Sequence, residues 1–296
     1  MQDFKIHTDS ACDINREVLS EWGIDTSALR FKFSEDDKVY TDTDMTAEEF
    51  YHRLRMGMTV TTSSVNKEEM IASFERTLRR GMDVLYLGFS SALSSTYNSA
   101  RLAAEELEKS YGKNRITLID TLSASAGQGL LLSIAADMKS KGYKKEHIAD
   151  YIRDMIPKIC HIFTVDDLGY LKRGGRISPE TATMGTILGM KPILTVNGEG
   201  RLITISKVRG RRSAISSLAN AAAKLIDSKF ADGNLFISHA DARRDAEELS
   251  EILKRNYGRS VSLITDIGPV IGSHSGPGTL AIFFIGNERP TKYKLK

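Results

Sequence analysis

Two kinds of apolar pattern take turns along this chain. Short runs rich in β-branched and aromatic residues, at 4–8 (FKIHT), 29–33, 84–87 (VLYL), 116–119, 160–165 (CHIFTV), 235–239, 261–264 and 280–285, predict strands, with a shorter one near Val39 and Tyr40. Between them, apolar residues recur three and four positions apart, which gathers them on one helical face. Helices are predicted at 14–22, 47–55, 67–79, 126–139, 145–156, 166–172, 181–190, 212–227 and 242–255. The segment 88–100 (GFSSALSSTYNSA) is the most informative. Leu93, Tyr97, Ala100, Ala104 and Leu107 form one stripe, so a strand passes through a hydroxyl-rich turn straight into a helix.

Strands alternating with helices of this length argue an α/β fold with a parallel sheet covered on both faces. Pro157 breaks the pattern, and the boundary is expected around 157–162. The reading is two α/β domains: 1–159 with a mostly parallel sheet, and 160–296 with a mixed sheet. Asn197-Gly198-Glu199-Gly200, between apolar flanks, is a hairpin signal in the second. In parallel sheets ligands collect beyond the carboxyl ends of the strands. Three loops leave there, Thr8-Asp9-Ser10, Ser90 to Ser95 and Asp120-Thr121-Leu122-Ser123, all carrying hydroxyls. At the helix start these serines either cap freed N–H groups or, with those groups, hold an anion or carboxylate. Gly185 and Gly189, four apart in 181–190, allow either close helix packing or room for a ligand. A polar string, 59–66 (TVTTSSVN), precedes the helix at 67–79. A glycine- and proline-rich stretch near the C-terminus, expected to be a rigid loop, has His274 at its centre.

With 296 residues, 41% of them hydrophobic, the chain can bury two cores, and a net charge of +3 is too small a field to imply nucleic acid. One local exception holds Arg201, Lys207, Arg209, Arg211 and Arg212 without an acid, which fits a phosphate, a protein partner or a solvated helix start. Cys12 and Cys160 have no metal-ligand spacing, so no metal or cofactor is expected and both thiols read as reduced and structural. The start, MQDFKIHTD, lacks the pattern of a secretory signal, and no apolar run reaches membrane-spanning length. A cytoplasmic protein without integral membrane association is expected.

One enzymatic alternative has some pattern behind it. Ser90 stands between a strand and a helix, and Ser90, Asp266 and His274 follow the chain order of an α/β-hydrolase triad, although no HGGG-type oxyanion segment is present. Neither G-x-G-x-x-G nor G-x-x-x-x-G-K-[ST] occurs, which argues against a nucleotide enzyme.

The motifs TDSACD, TTSSVN, SSALSSTYNSA, TVDDLGYLKRGGRIS, KPIL, KVRGRR, SHADAR and IGPVIGSHSGPG, in this order over nearly the whole chain, resemble the DegV family of bacterial fatty-acid-binding proteins. The resemblance implies a long-chain fatty acid between two α/β domains, with its carboxylate at their interface and most of its tail against the second. It further implies that the protein is a non-catalytic subunit. It would present the carboxylate to a partner fatty acid kinase, whose acyl phosphate product feeds phospholipid synthesis. Carried over by motif, the carboxylate contacts are Thr62, Ser94 and His274, with Ser95 beside them. Arg173 and Arg209 match basic positions near the head group or partner surface. Candidate tail-lining residues are Phe163, Leu168, Ile187, Leu188 and Ile271. The chain departs from the family pattern in reading Thr62-Ser63-Ser64-Val65-Asn66 where TSQPS is common, and in placing Ser95 where glycine is common. On this reading neutral hydroxyls, a helix N-terminus and an imidazole hold the carboxylate without a bidentate arginine.

Overall fold

A computed structural model describes residues 3–178, 189–230 and 234–291. The predicted helix at 181–190 lies almost wholly outside these residues, as do Ile187 and Leu188.

A four-stranded parallel sheet has the order β2-β1-β6-β7, formed by β1 (Phe4–Asp9), β2 (Ile24–Ser27), β6 (Asp83–Gly88) and β7 (Ile116–Asp120). A six-stranded mixed sheet has the order β10-β9-β8-β13-β11-β12. Its strands are β8 (Ile159–Thr164), β9 (Met190–Val196), β10 (Leu202–Arg209), β11 (Leu235–His239), β12 (Leu263–Asp266) and β13 (Leu280–Ile285). Only the β11–β12 pair in it is parallel. A small antiparallel sheet, β4-β3-β5, is built from β3 (Arg30–Phe33), β4 (Tyr40–Thr41) and β5 (Val60–Ser63). Its aromatic cluster of Phe31, Phe33, Tyr40 and Phe50 packs with α2 (Ala47–Arg55).

The predicted strands at 29–33 and near 40 therefore belong to a separate sheet, and two strands escape the apolar-run pattern. β2 (IDTS) has one apolar residue in four, and β5 lies inside the polar string 59–66 because two of its four side chains are exposed.

Side-chain alternation decides which layers meet. On β8, Ile159 and Phe163 face one core, while Cys160 and Ile162 face another. The second core is filled by α8 (Arg211–Leu225) and α9 (Arg243–Tyr257). The first contains α5 (Ala126–Ser140), whose Leu130, Leu131 and Leu132 are all fully buried. Leu85 and Leu87 of the parallel sheet meet the same helix from the other side, while α3 (Lys67–Leu78) and α4 (Thr96–Tyr111) cover that sheet's outer face. A segment without an exposed face must be buried on every side; the first half of α5, Ala126 to Leu132, is, and fills the space between the two sheets, while Asp137 and Ser140 near its end are exposed. Gly127 brings it close to β8, since a Cβ there would lie 2.2 Å from His161 Nε2. α6 (Lys145–Met155) packs beside it.

The segment expected to be a rigid loop is in part a helix, α10 (Pro269–Ser275). Proline occupies its first position, where the missing N–H costs nothing, and Gly276 closes it at φ 78°. Buried hydrogen bonds fix its approach: Gly268 N donates to Asp13 Oδ1 (2.9 Å), Thr265 Oγ1 to Asp13 O (2.8 Å) and Tyr51 Oη to Ile267 O (2.7 Å).

Leu130→Ala is expected to cost about 2–5 kcal/mol. Because α5 is core to both sheets, its denaturant midpoint should fall while secondary and tertiary probes keep one shared transition. Two separate transitions would contradict a common core.

Candidate functional site

Between the parallel sheet's loops and the mixed sheet lies a cavity of about 320 Å³ with a mostly apolar lining. Leu93 and Phe89 come from the loop after β6, Phe163, Ala281 and Phe283 from the mixed sheet, and Val270 and Ile271 from α10. This is the low end of the size of small-molecule sites, which are typically apolar with a few converging polar groups.

A group of polar side chains gathers at one end. His274 on α10 shares a hydrogen bond with Thr62 on β5, Nε2 to Oγ1 at 2.8 Å. Ser94 Oγ lies 3.0 Å from Thr96 Oγ1 and accepts from Thr96 N (3.2 Å), at the first turn of α4. The N-cap Ser95 makes no side-chain cap; its hydroxyl donates to Ser64 Oγ at 2.8 Å. The helix N-terminus thus lacks an N-cap side chain, the arrangement that favours an anion. All of these side chains except Thr96 line the cavity. Two of the positions where the chain departs from the family pattern, Ser64 and Ser95, meet each other across its mouth.

Among the other hydroxyls at this edge, Ser90 and those of the 120–123 loop serve the loops themselves. Ser90 Oγ donates to Gly200 O (3.0 Å) and accepts from Ala92 N, and Thr121 Oγ1 donates to Gly88 O. The hydrolase arrangement fails on the same contacts. Ser90 is spent on Gly200, His274 is bonded to Thr62, and Asp266 lies beside His239 (3.5 Å). A buried serine held by a backbone carbonyl has no base to activate it.

Burial, with the nearby Arg176 cation, pushes the His274 imidazole down to about 4, so it is neutral at pH 7. Its Nδ1 faces Gly174, where a Cβ would lie 2.2 Å away, so that glycine is required by close approach. Arg176 itself lines the cavity and was missed by sequence reading. Its Nε donates to Leu93 O at 3.1 Å and its Nη1 to Gly174 O. The signal was present in LKRGGR. α7 (Leu168–Arg173) ends in a Schellman turn, with Gly175 at φ 68°, Gly175 N bonded to Lys172 O and Arg176 N to Leu171 O. That turn reverses the chain and carries the residue after the glycines inward. Where hydroxyls and an imidazole in place of a bidentate arginine are expected, a guanidinium also lines the cavity, with its Nε and Nη1 bonded to the Leu93 and Gly174 carbonyls.

Arg173, by contrast, is exposed, its guanidinium 4.5 Å over the Tyr170 ring, on a surface groove shared with Thr62, Arg176 and His274. Arg209 is exposed at the end of β10, away from the cavity lining. The basic cluster around it is not acid-free in space, since Arg211 pairs with Asp245 (2.7 Å) and Asp166 (3.4 Å). Of the named tail positions, Phe163 and Ile271 line the cavity, whereas Leu168 packs against the core shared by the sheets. His161 and Ser125 also line it and were not anticipated. Among the described residues no cluster of His, Cys, Asp or Glu is arranged to hold a metal, and no helix is long and apolar enough to cross a membrane.

The imidazole sets an acid limit on stability. Unfolded chain takes the proton near pH 6.5, whereas the folded protein takes it at His274 only at about pH 4, so protons in that window favour unfolding. The contribution is complete above pH 6.5 and is lost as pH falls toward 4. His7, also held at about 4, chiefly by burial, adds the same sign. Denaturation as a function of pH should show His274→Gln with a shallower loss across this window than the native protein; an unchanged slope would contradict a neutral, buried His274.

The model of the DegV family, described as "Uncharacterised protein, DegV family COG1307", matches residues 3–287. A DegV domain-containing protein of Clostridium perfringens is 40% identical over 292 residues, covering 98% of this chain and 99% of its own. Two solved structures align closely. One, described as fatty acid binding of a DegV family protein from Thermus thermophilus, has a TM-score of 0.84 and 28% identity, covering 96% of this chain and 100% of its own. The other, DegV of Bacillus subtilis, described as a fatty acid binding protein, has a TM-score of 0.81 and 26% identity, covering 97% and 100%. With the family model spanning nearly the full sequence and both folds superposing over nearly all of it, this chain belongs to the DegV family.

Proposed function

We propose that this protein binds a long-chain fatty acid in the cavity between its two α/β domains, 1–159 and 160–296, with the carboxylate at Thr62, Ser94, Ser95 and His274. The observation that carries the reading is a mostly apolar cavity with Thr62, Ser94, Ser95 and His274 gathered at one end. Fatty acid binding by the Thermus and Bacillus relatives supports it. Each buried methylene contributes about 0.8 kcal/mol, so a long tail supplies on the order of 10 kcal/mol before the costs of association. The carboxylate cannot follow the tail out of water without partners. Arg176 offsets its charge from the cavity wall, hydroxyls and the α4 N-terminus meet its lone pairs, and a neutral His274 can donate one hydrogen bond without trapping the anion in an ion pair. Phe163 and Ile271 line the path of the tail, most of which lies against the second domain.

The same reading extends to a role in the cytoplasm as the binding subunit of a fatty acid kinase. Thr62 and His274 border both the cavity and the surface groove carrying Arg173. From there a carboxylate oxygen would attack the γ-phosphorus of ATP held by the partner kinase, with ADP leaving and the acyl phosphate passing to phospholipid synthesis. Arg173 and the more distant Arg209 are available to the kinase's acidic or phosphate groups.

Mass spectrometry of lipids extracted from purified protein should find fatty acid at near one per chain. Ser94→Ala and His274→Ala should each weaken binding of a long-chain acid roughly tenfold or more, the scale of a hydrogen bond to a charged group. Protein free of lipid that ignores long-chain acids in calorimetry would overturn the reading. For the partner role, acyl phosphate should form from ATP and fatty acid only when kinase and this protein are both present; formation without this protein would refute it.

A further inference from the structure

A carboxylate only accepts hydrogen bonds, so the hydrogens still free at the polar end of the cavity decide how firmly it is held. Several are already committed. Thr62 and the neutral His274 ring carry one hydrogen each and share one of them in their own contact, so the pair offers a ligand at most one. The Ser95 hydroxyl spends its only hydrogen on Ser64 Oγ, at 2.8 Å. Ser64 takes that bond through a lone pair, which leaves its own hydrogen unused, and no other described residue accepts it.

Ser64 stands where that hydrogen is useful. It lies two residues after Thr62 at the end of β5, and both are half-buried while Thr61 and Ser63 are exposed, so strand alternation turns the two side chains to the same side. Both line the cavity. Each is also met by a polar group from another element, Thr62 by His274 of α10 and Ser64 by the N-cap residue of α4. A hydroxyl that accepts one hydrogen bond becomes a stronger donor for the next.

Resting on the fatty-acid reading, we infer that Ser64 is a head-group residue whose hydroxyl donates to the carboxylate, with Ser95 behind it as the positioning residue that orients and polarises that hydroxyl. Both are positions where the chain departs from the family pattern, so the relay belongs to this chain's own head-group site.

Delipidated full-length protein is titrated calorimetrically with oleic acid and with oleyl alcohol, in the native form and as Ser64→Ala, Ser95→Ala and the double variant. Ser64→Ala is expected to weaken oleic acid about tenfold, the low end for a hydrogen bond to a charged group, and oleyl alcohol about threefold or less, because its acceptor is neutral. Ser95→Ala should cost oleic acid about threefold in the native background and nothing once Ser64 is alanine, since it reaches the ligand only through Ser64. Ser64→Thr, which keeps the hydroxyl, should bind as the native protein does. Unchanged oleic acid affinity in Ser64→Ala, or an equal loss for acid and alcohol, means that the hydroxyl meets solvent or merely shapes the mouth, and overturns the inference. A Ser95→Ala loss that persists in the double variant overturns the relay. If neither ligand binds the native protein, the fatty-acid reading itself falls, an outcome distinct from binding that ignores Ser64.

Discussion

The separation of the two sheets is set by a single helix whose first two turns, Ala126 to Leu132, have no exposed face. α5 buries leucines toward both the parallel and the mixed sheet, and neither sheet could shed it without exposing its own inner face to water. Small residues at its start, Ala126, Gly127 and Gly129, let both sides approach closely. Farther toward the carboxyl edge of the parallel sheet the helix no longer fills the gap, and the apolar walls that continue past it enclose the cavity. The cavity is thus the unfilled end of an otherwise packed interface, lined by side chains of the kind that pack elsewhere in the same layer.

Three distant elements arrive at the mouth of this cavity. Thr62 comes from the small sheet, Ser94 from the start of α4 and His274 from a short helix more than two hundred residues later. Tyr51, Asp13 and the backbone of Ile267 and Gly268 tie that helix down with buried hydrogen bonds, so the imidazole is positioned before any ligand arrives. Preorganisation of this kind lowers the ordering cost of binding. The electrostatics have a division of labour: a guanidinium in the wall supplies charge, while hydroxyls and a neutral imidazole supply directional contacts.

Strands such as β6, β8 and β13 were legible because buried strands are continuous apolar runs, α9 because an apolar period of 3.6 persists over four turns, and α5 because its apolar stretch is too long for a strand. The four-residue strands β2 and β5 carry one apolar residue each, too few to register, and β5 also exposes alternate side chains. α10 is seven residues long and interrupted by Gly272, so its composition reads as a loop even though Pro269 marks a helix start. At the site, resemblance to a family pointed to Thr62, Ser94 and His274. Arg176 was hidden because only the Schellman turn after α7 turns it inward, and a basic residue three positions earlier competes for attention. His161 was hidden because strand alternation says which face a residue takes, not whether that face meets a packed core or a cavity.

A crystal structure of the protein soaked with a brominated long-chain acid would test the central claim most directly. The account predicts the carboxylate within hydrogen-bond distance of Thr62, Ser94 and His274, and the bromine's anomalous peak inside the cavity near Phe163 and Phe283. A bromine peak on the outer surface, with aliphatic side chains closed over the cavity, would contradict it.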